Sequence, residues 1–383
     1  MLLQVLGTAA GGGLPQWNCA CPGCAGARAH PERRRRHAAL AVHTGSEDRW
    51  YLVNATPDIG DQIESVPALR PGAGGDARRT PVAGVVLTDA ELDHTLGLAR
   101  LREARDGVEV LATAPVRDAV REGLRLDALL EPYTHVRWRE LPRGRAVPLN
   151  GDGSGIHAGA VPLSAKRPRY AVTGPGTGSG TGSGFGPGSG SGLGPGAGPG
   201  LGPGSGPGSG PGPGHGPGSG LGSGSGLGSG SGLGPGLSPG PGSSPGPGPG
   251  PGPAPDPAPW SVALRLTEPA TGRTLLYAPS LAVWSDAFDE AARTADCVIV
   301  DGTFWDEDEP VRAGFTARTA TAMGHLPIAG PAGTAHRLAR LPGRVLYTHL
   351  NNTNPLGDPH AEQHKFLAER GIEVAADGMV IEL

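Results

Sequence analysis

Three carboxylates and one histidine lie within six consecutive residues, Asp89-Ala90-Glu91-Leu92-Asp93-His94. The apolar run 82–87 precedes them and the helix-like run 96–105 follows, which predicts a loop at the carboxyl end of a strand. The adjacent oxygen and nitrogen ligands Asp93 and His94 could hold a metal there, with coordination positions open towards a cleft. The alternative is an acidic turn exposed to solvent, because most charged loop residues are solvated.

A second histidine, His349, follows the short apolar run 344–347 and precedes an asparagine-rich turn. If both strands belong to one sandwich, their tips share an edge, and Asp93, His94 and His349 form a facial triad. Two imidazoles and one carboxylate with open positions suit non-haem Fe(II) and O2 chemistry. The alternative for His349 is a structural histidine that bonds the turn.

Four further polar residues are candidate catalytic residues around this metal: Asp89, Glu91, Asp301 and His325. Asp89 and Glu91 lie just before the candidate ligands Asp93 and His94. Asp301 ends the apolar run 297–300, which predicts a buried strand that delivers a polar group to its tip. Together with His325, it is a candidate for holding the metal ligands in place.

Three of the four cysteines, Cys19, Cys21 and Cys24, lie within six residues of a turn-rich loop. Three thiolates so close together can bind one ion at about 2.3 Å, and sulfur ligands favour Zn²⁺ in a closed structural site. A redox pair or unreactive thiols are the alternatives. Asn352, His360 and water are candidate fourth ligands, whereas Cys297 lies in an apolar strand and is predicted to be a core residue.

The composition divides the 383 residues into two parts, because the 68 glycines and 41 prolines are concentrated in residues 172–259. That tract is almost wholly Gly, Pro and Ser, with too little apolar surface to offset the entropy of ordering it, so we predict a disordered insertion. Residues 1–171 and 260–383 are predicted to form a single domain.

The net charge of −4 gives no electrostatic support for nucleic-acid binding. No stretch approaches the roughly 18 apolar residues of a membrane span, and residues 1–14 lack a basic start and a cleavage site. We therefore expect a cytoplasmic protein. Four cysteines in so long a chain do not make a disulfide scaffold, which again favours metal binding.

Strand patterns dominate each half of the chain before helical patterns close it. Helices are predicted at 57–63, 284–294 and 334–340, from Thr113 as the cap to Leu130, and from Asp358-Pro359 to Arg370. This order is typical of an α/β protein in which two sheets pack face to face with helices outside, a four-layer αββα sandwich.

Six segments together resemble the pyrroloquinoline quinone (PQQ) biosynthesis protein B family, PqqB: GTAAGGGLPQWNCACPGC, LTDAELDHTLGL, VIVDGTFWDEDE, MGHLP, THLNNTNP and DGMVIEL. The resemblance covers nearly all of the chain outside the Gly/Pro/Ser tract. That family belongs to the metallo-β-lactamase superfamily, so the resemblance implies the αββα sandwich as well. It also implies an iron-dependent hydroxylase of a tyrosine-derived, glutamate-crosslinked PQQ precursor.

The chain departs from the superfamily's metal motif, HxHxDH, because the two leading histidines are replaced by Asp89 and Glu91. The segment 161–164 offers no further histidine, and Pro279 stands where superfamily hydrolases have a bridging aspartate. Too few ligands remain for two ions and a bridging hydroxide, so we do not expect a two-zinc hydrolase. One ion on Asp93, His94 and His349 is still feasible.

Our leading hypothesis is therefore an Fe(II), O2-dependent hydroxylase, with Asp89 and Glu91 as proton acceptors or as contacts for a substrate amine. The rival is a non-catalytic carrier of PQQ or its precursor towards export, and a phosphodiesterase or nuclease ranks last. Candidate partners are the peptide-derived precursor, other PQQ-biosynthesis proteins and, in a homodimer, a second copy of the chain.

Deleting residues 174–255 tests the predicted insertion. A tract without buried contacts contributes little beyond a slowly growing cost of loop closure. We expect the shortened protein to keep its melting temperature and its metal content, measured by calorimetry and elemental analysis. Aggregation or loss of metal in the shortened protein would show that the tract packs on the domain.

Overall fold

The computed structural model describes residues 1–45, 49–72, 78–151, 155–171 and 259–383. These residues belong to one compact unit. Except for Pro259, the Gly/Pro/Ser tract 172–259 lies outside the described residues, so its predicted disorder stays a prediction. Among the described residues, no helix combines the length and the apolar character needed to cross a membrane.

Two mixed sheets of seven strands each form the centre of the described structure. In chain order, the strands are β1 (Leu2–Gly7), β2 (Ala39–His43), β3 (Trp50–Val53), β4 (Val82–Val86), β5 (Val108–Ala112), β6 (Val136–Glu140), β7 (Val147–Pro148), β8 (His157–Ser164), β9 (Ser261–Thr267), β10 (Thr274–Ala278), β11 (Cys297–Asp301), β12 (Arg344–Thr348), β13 (Ile372–Val374) and β14 (Val380–Glu382). The first sheet has the order β14-β1-β2-β3-β4-β5-β6, and the second has the order β13-β12-β11-β10-β9-β8-β7. Within each sheet, antiparallel pairs occupy one side and parallel pairs the other.

The helices are short: α1 (Pro22–Ala29), α2 (Ile59–Ser65), α3 (Leu92–Thr95), α4 (Ala114–Asp118), α5 (Leu126–Leu130), α6 (Asp286–Arg293), α7 (Glu309–Arg312), α8 (Ala320–Met323), α9 (Ala335–Leu338) and α10 (Gln363–Ala368). Four 3-10 segments accompany them, Pro31–Arg33, Pro67–Leu69, Leu96–Glu103 and Pro355–Gly357, with one π turn at Ala119–Gly123.

Buried apolar side chains define the layers. One core lies between the sheets and contains residues of both, among them Leu40 and Leu264. A second core packs helix residues such as Ile59 on the outer face of the first sheet, and a third packs Phe288 and others on the outer face of the second. The predicted four-layer αββα sandwich is therefore confirmed. Cys297 lies in the core between the sheets, as expected.

Two helix predictions are wrong. The segment after Thr113 is not one helix to Leu130, because Arg125 adopts a left-handed backbone (φ 52°) between the π turn and α5, and the Thr113 side chain makes no capping bond. The last helix does not start at Asp358. The Asp358 carboxylate instead accepts hydrogen bonds from the His360 amide and from Arg33, and α10 begins at Gln363.

The run predicted as a helix over 96–105 is mostly a 3-10 segment that follows the one-turn helix α3. Its start packs tightly, since the Gly97 amide donates to the Ala55 carbonyl and a Cβ at Gly97 would overlap the Thr56 carbonyl. The Ala55 amide in turn donates to the His94 carbonyl. These backbone contacts fix the metal loop against the loop that follows β3.

Backbone hydrogen bonds join the two sheets at one edge. The Val262 amide, in β9, donates to the Thr88 carbonyl after β4. The Leu350 amide, just after β12, donates to the Thr8 carbonyl after β1. Because the residues after β4 and after β12 meet at this edge, side chains far apart in the chain lie side by side there.

Candidate metal centres

The Asp89 carboxylate fixes the orientation of His94. His94 Nδ1 lies 2.9 and 2.8 Å from the two Asp89 carboxylate oxygens, and both residues are buried. Thr88 Oγ1 and the Glu91 amide also donate to Asp89, so its oxygens are fully used within the chain. A carboxylate on Nδ1 directs the other ring nitrogen outward as a ligand. His94 Nε2 is buried and has no hydrogen-bond partner among the described residues.

Asp93 and His349 face that nitrogen. Asp93 Oδ2 lies 3.7 Å from His94 Nε2 and 3.3 Å from His349 Nε2, although His349 is 256 residues further along the chain. Gly11 lies against the same carboxylate, since a Cβ there would be 3.4 Å from Asp93 Oδ2. One ligand atom from each of Asp93, His94 and His349 lies within 4.8 Å of the other two.

A second carboxylate–histidine pair supports His349. Thr303 Oγ1 lies 2.8 Å from His349 Nδ1 and 3.1 Å from His325 Nδ1, and it donates to Asp301 at 2.6 Å. His325 Nδ1 is also 2.7 Å from Asp301, and its ring stacks on His349 with centroids 5.6 Å apart. Asp301 therefore orients His325 directly and His349 through Thr303, which leaves Nε2 of each imidazole for other partners.

The buried carboxylates and imidazoles at this centre shift one another's pKa values. Burial favours the neutral carboxyl group of Asp93, but the neighbouring imidazoles of His94 and His349 outweigh it and hold the pKa of Asp93 well below its usual range. Burial likewise disfavours the imidazolium of His94, yet the charges of Asp89 and Asp93 raise the pKa of His94 to about 9. Asp93 thus stays ionised, and His94 carries a proton in the absence of a cation.

The residues present fit one metal ion. The unpartnered buried Nε2 of His94 faces an ionised carboxylate and a second imidazole, and each imidazole has an oxygen partner on its Nδ1. A cation on these three ligands would take the place of the His94 proton and compensate the negative charge that burial otherwise penalises. Asp93 and His94 lie in the one-turn helix α3, and His349 directly follows β12. This set has the composition of a facial triad.

Glu91 lies beside this centre and differs from Asp89. Burial and the nearby Asp89 charge raise the pKa of Glu91, while the Lys166 ammonium partly offsets them. Asp89 and Glu91 line a small cavity together with Trp260 and Ser261. The Tyr170 hydroxyl donates a hydrogen bond to the carbonyl of Ala90, another residue of the cavity wall. The Glu91 carboxylate is thus available to a ligand in this cavity.

The cysteines form a second candidate centre. The Sγ atoms of Cys19, Cys21 and Cys24 lie within 4.8 Å of one another. Asn352 Nδ2 is 3.2, 3.5 and 3.2 Å from them in that order, so its amide sits against all three sulfur atoms. Rotating this amide by 180° exchanges Nδ2 for Oδ1, an oxygen that can bind zinc. His360, the other protein candidate, is exposed and is absent from this group.

The pKa of the clustered thiols also favours a bound cation at this centre. Burial and the adjacent cysteines raise the pKa of Cys21 to about 11, because several thiolates cannot be held together without positive charge. A bound Zn²⁺ would deprotonate coordinating thiols outright. Cys24 is buried with Leu14 and Ala27, so this centre also closes a small core of its own.

Comparisons with known proteins identify the family to which the chain belongs. The family model described as a beta-lactamase superfamily domain matches residues 49–186 and 248–350. Coenzyme PQQ synthesis protein B from Azoarcus sp. (strain BH72) is 34% identical to the chain, and that from Nitrosococcus oceani is 33% identical, with each alignment covering 100% of both sequences. The chain belongs to the coenzyme PQQ synthesis protein B family.

Two solved structures show the fold. Zn(2+)-bound PqqB from Methylobacterium extorquens superposes with a TM-score of 0.69 at 24% identity, covering 100% of both chains. A diphosphatase from the PhnP family superposes with a TM-score of 0.54 at 14% identity, covering 100% of this chain and 97% of the other. The full-length relatives confirm the family resemblance predicted from the sequence motifs.

Sequence reasoning missed some site residues of this PQQ synthesis protein B family member. His37 Nδ1 lies 2.8 Å from Asp58, which also accepts from Thr56 Oγ1, and His37 Nε2 lies 3.3 Å from the Gly11 carbonyl beside Asp93. The charges of Asp58 and Asp93 outweigh burial and raise the pKa of His37. Thr303 was missed as well. The clue for Thr303 was its place two residues after a strand-tip aspartate, but nothing in the sequence pairs His37 with Asp58.

The proton on His94 makes metal binding depend on pH. Because the ion must displace one proton whose pKa is about 9, affinity should fall about tenfold for each pH unit between pH 8 and pH 6. Competition with a chelator whose own pH dependence is known measures this slope under anaerobic conditions. Affinity for Fe²⁺ or Co²⁺ that does not change over this range would contradict the assigned protonation of His94.

Replacing Asp89 by Asn tests the orienting bond. An amide is a weaker acceptor for Nδ1–H and can present its NH2 group instead, so we expect divalent-ion affinity to fall by about 10- to 100-fold. Glu91→Gln is the matched control, because Glu91 lies two residues away and outside the ligand group. We expect it to stay within about threefold of the wild-type affinity. Equal losses in the two variants would argue against the role assigned to Asp89.

Proposed function

We propose that the protein acts in PQQ synthesis as an iron-dependent hydroxylase of the tyrosine ring of a PQQ precursor. Membership of the coenzyme PQQ synthesis protein B family supports the pathway. The observation that carries the chemistry is the ligand group Asp93, His94 and His349, in which the buried His94 Nε2 has no partner among the described residues. The Zn(2+)-bound PqqB structure supports a metal in the family fold.

The ligand chemistry favours one redox-active ion over a pair of zinc ions. At the position of the superfamily's first histidine, Asp89 is bonded to His94, and Pro279 has no ligand atom at the position of the bridging aspartate. A second ion on Asp301, His325 and His349 would have to share His349 with the first, and Asp301 is already bonded to His325 and Thr303, so we do not propose a phosphodiesterase. Iron held by two imidazoles and one carboxylate would supply O2 activation.

The residues around the proposed iron site would orient the substrate and accept protons from it. Glu91, whose pKa is raised, would accept a proton from the substrate or bind its amine, and Lys166 on the same cavity would attract a carboxylate. Asp301 holds His325 through Nδ1, which would leave the Nε2 of His325 to accept a hydrogen bond or a proton beside His349. Trp260 and Ser261 line the same small cavity.

The test is single-turnover oxygen incorporation. Anaerobically purified full-length protein is loaded with Fe²⁺, mixed with a tyrosine-containing PQQ precursor and a reductant, and exposed to ¹⁸O2. We expect the product to gain one ¹⁸O atom by mass spectrometry, the other oxygen atom leaving as water. Protein loaded with Zn²⁺ is the matched control, because zinc can take the same ligands but has no redox chemistry.

Variants separate the hydroxylase from a carrier. His349→Ala should lose both iron and oxygen incorporation, whereas Glu91→Gln should keep iron and lose turnover. A non-catalytic carrier of PQQ or its precursor remains the rival proposal. Tight binding of the precursor that survives His349→Ala, together with no ¹⁸O in any product of the iron-loaded wild type, would replace the hydroxylase with that carrier.

A further inference from the structure

The two candidate metal centres share one short loop. His349 faces Asp93 and His94, and Asn352, three residues later, faces the cysteine sulfur atoms. The loop follows β12 directly and ends at the 3-10 segment Pro355–Gly357. Only two residues, Leu350 and Asn351, therefore separate the residue at one centre from the residue at the other.

The backbone of His349 is in a conformation that needs support. Its φ is 59°, a left-handed value that residues with a side chain rarely adopt, and such residues persist only where their surroundings hold them. On one side, the amides of Leu350 and Asn351 donate to the carbonyls of Thr8 and Thr303. On the far side, Asn354 Nδ2 donates to the carbonyls of Gly302 and Thr303, and Asn352 contacts the cysteine loop.

Asn352 is held by the cysteine loop through both its side chain and its backbone. The side-chain amide contacts all three sulfur atoms, and Cys21 Sγ lies 3.4 Å from the Asn352 carbonyl. Gly23, near the start of α1, lies so close to that carbonyl that a Cβ would overlap it. The loop and α1 therefore pack together with no room for a side chain between them.

We propose that the cysteine centre positions the metal ligand His349, and that Asn352 is the residue through which it does so. The inference rests on the proposed iron site at Asp93, His94 and His349. In this arrangement, zinc on the cysteines holds the Asn352 amide, the amide holds the loop, and the loop keeps His349 in its left-handed conformation. Loss of the Asn352 contacts lets that backbone relax and moves the His349 imidazole away from Asp93.

A pair of glycine variants tests this coupling without touching any ligand. Gly23→Ala pushes the Asn352 carbonyl away from α1, whereas Gly26→Ala lies one turn further along the same helix, where a Cβ would meet only Arg33 Nη1 at 3.5 Å. We expect Gly23→Ala to lose about tenfold in Fe²⁺ affinity while it keeps its zinc, and Gly26→Ala to behave as the wild type. Full-length protein, anaerobic chelator competition and elemental analysis give both quantities.

A pair of asparagine variants tests the link itself. Asn352→Ala removes the contacts to sulfur, whereas Asn351→Ala removes a neighbouring amide that bonds only Thr353 Oγ1. We expect Fe²⁺ affinity to fall in the first variant and not in the second, and hydrogen exchange to become faster at the amides of 350–352 in the first. Asn352→Asp, which keeps a side-chain oxygen, should recover most of the affinity.

The outcomes distinguish this coupling from the proposed iron site. Wild-type protein that binds no Fe²⁺ at Asp93, His94 and His349 would overturn both. Wild-type protein that binds Fe²⁺, with unchanged affinity and unchanged hydrogen exchange in Gly23→Ala and Asn352→Ala, would overturn the coupling and leave the iron site intact. Equal losses in Gly23→Ala and Gly26→Ala would also overturn it, because the effect would then come from α1 in general.

Discussion

The hydrogen bond between Asp89 and His94 determines how the His94 imidazole is oriented and which of its nitrogens can bind a metal. It fixes one ring nitrogen as a donor to a buried carboxylate and leaves Nε2, also buried, without a partner in the described chain. A buried nitrogen of this kind is unfavourable unless a cation or a proton occupies it. The residue that begins the superfamily's zinc motif thus serves here to orient a ligand.

The rest of the fold brings a second loop to that nitrogen. Each sheet places parallel strands side by side, so the residues after β4 and after β12 lie at the same edge, and backbone bonds between the sheets hold them there. Sheet cores of interlocking apolar side chains resist small displacements. His349 can therefore be held in a left-handed conformation that an exposed loop would not retain.

The strands that carry the site could be predicted from the sequence, because each is a short apolar run followed directly by polar residues. The run before Asp93, the run before His349 and the run ending in Asp301 are each short, apolar and followed by polar side chains, so their buried strands follow from pattern. Their shared edge follows only once the strands are assigned to one sandwich. The segment after Thr113 was misread, because its apolar period does not reveal the left-handed Arg125 that divides it. The pairing of His37 with Asp58 depends on tertiary packing, for which no local spacing is a signal.

The central claim is that one ion binds Asp93, His94 and His349 while a separate ion binds the cysteines. Anomalous X-ray diffraction at the iron and zinc absorption edges, on crystals of protein loaded anaerobically with Fe²⁺ and Zn²⁺, tests this directly. The account predicts an iron peak between Asp93 Oδ2 and Nε2 of the two histidines, and a zinc peak among the three sulfur atoms beside Asn352. An iron peak at the cysteines, or no iron peak beside His94 Nε2, would contradict it.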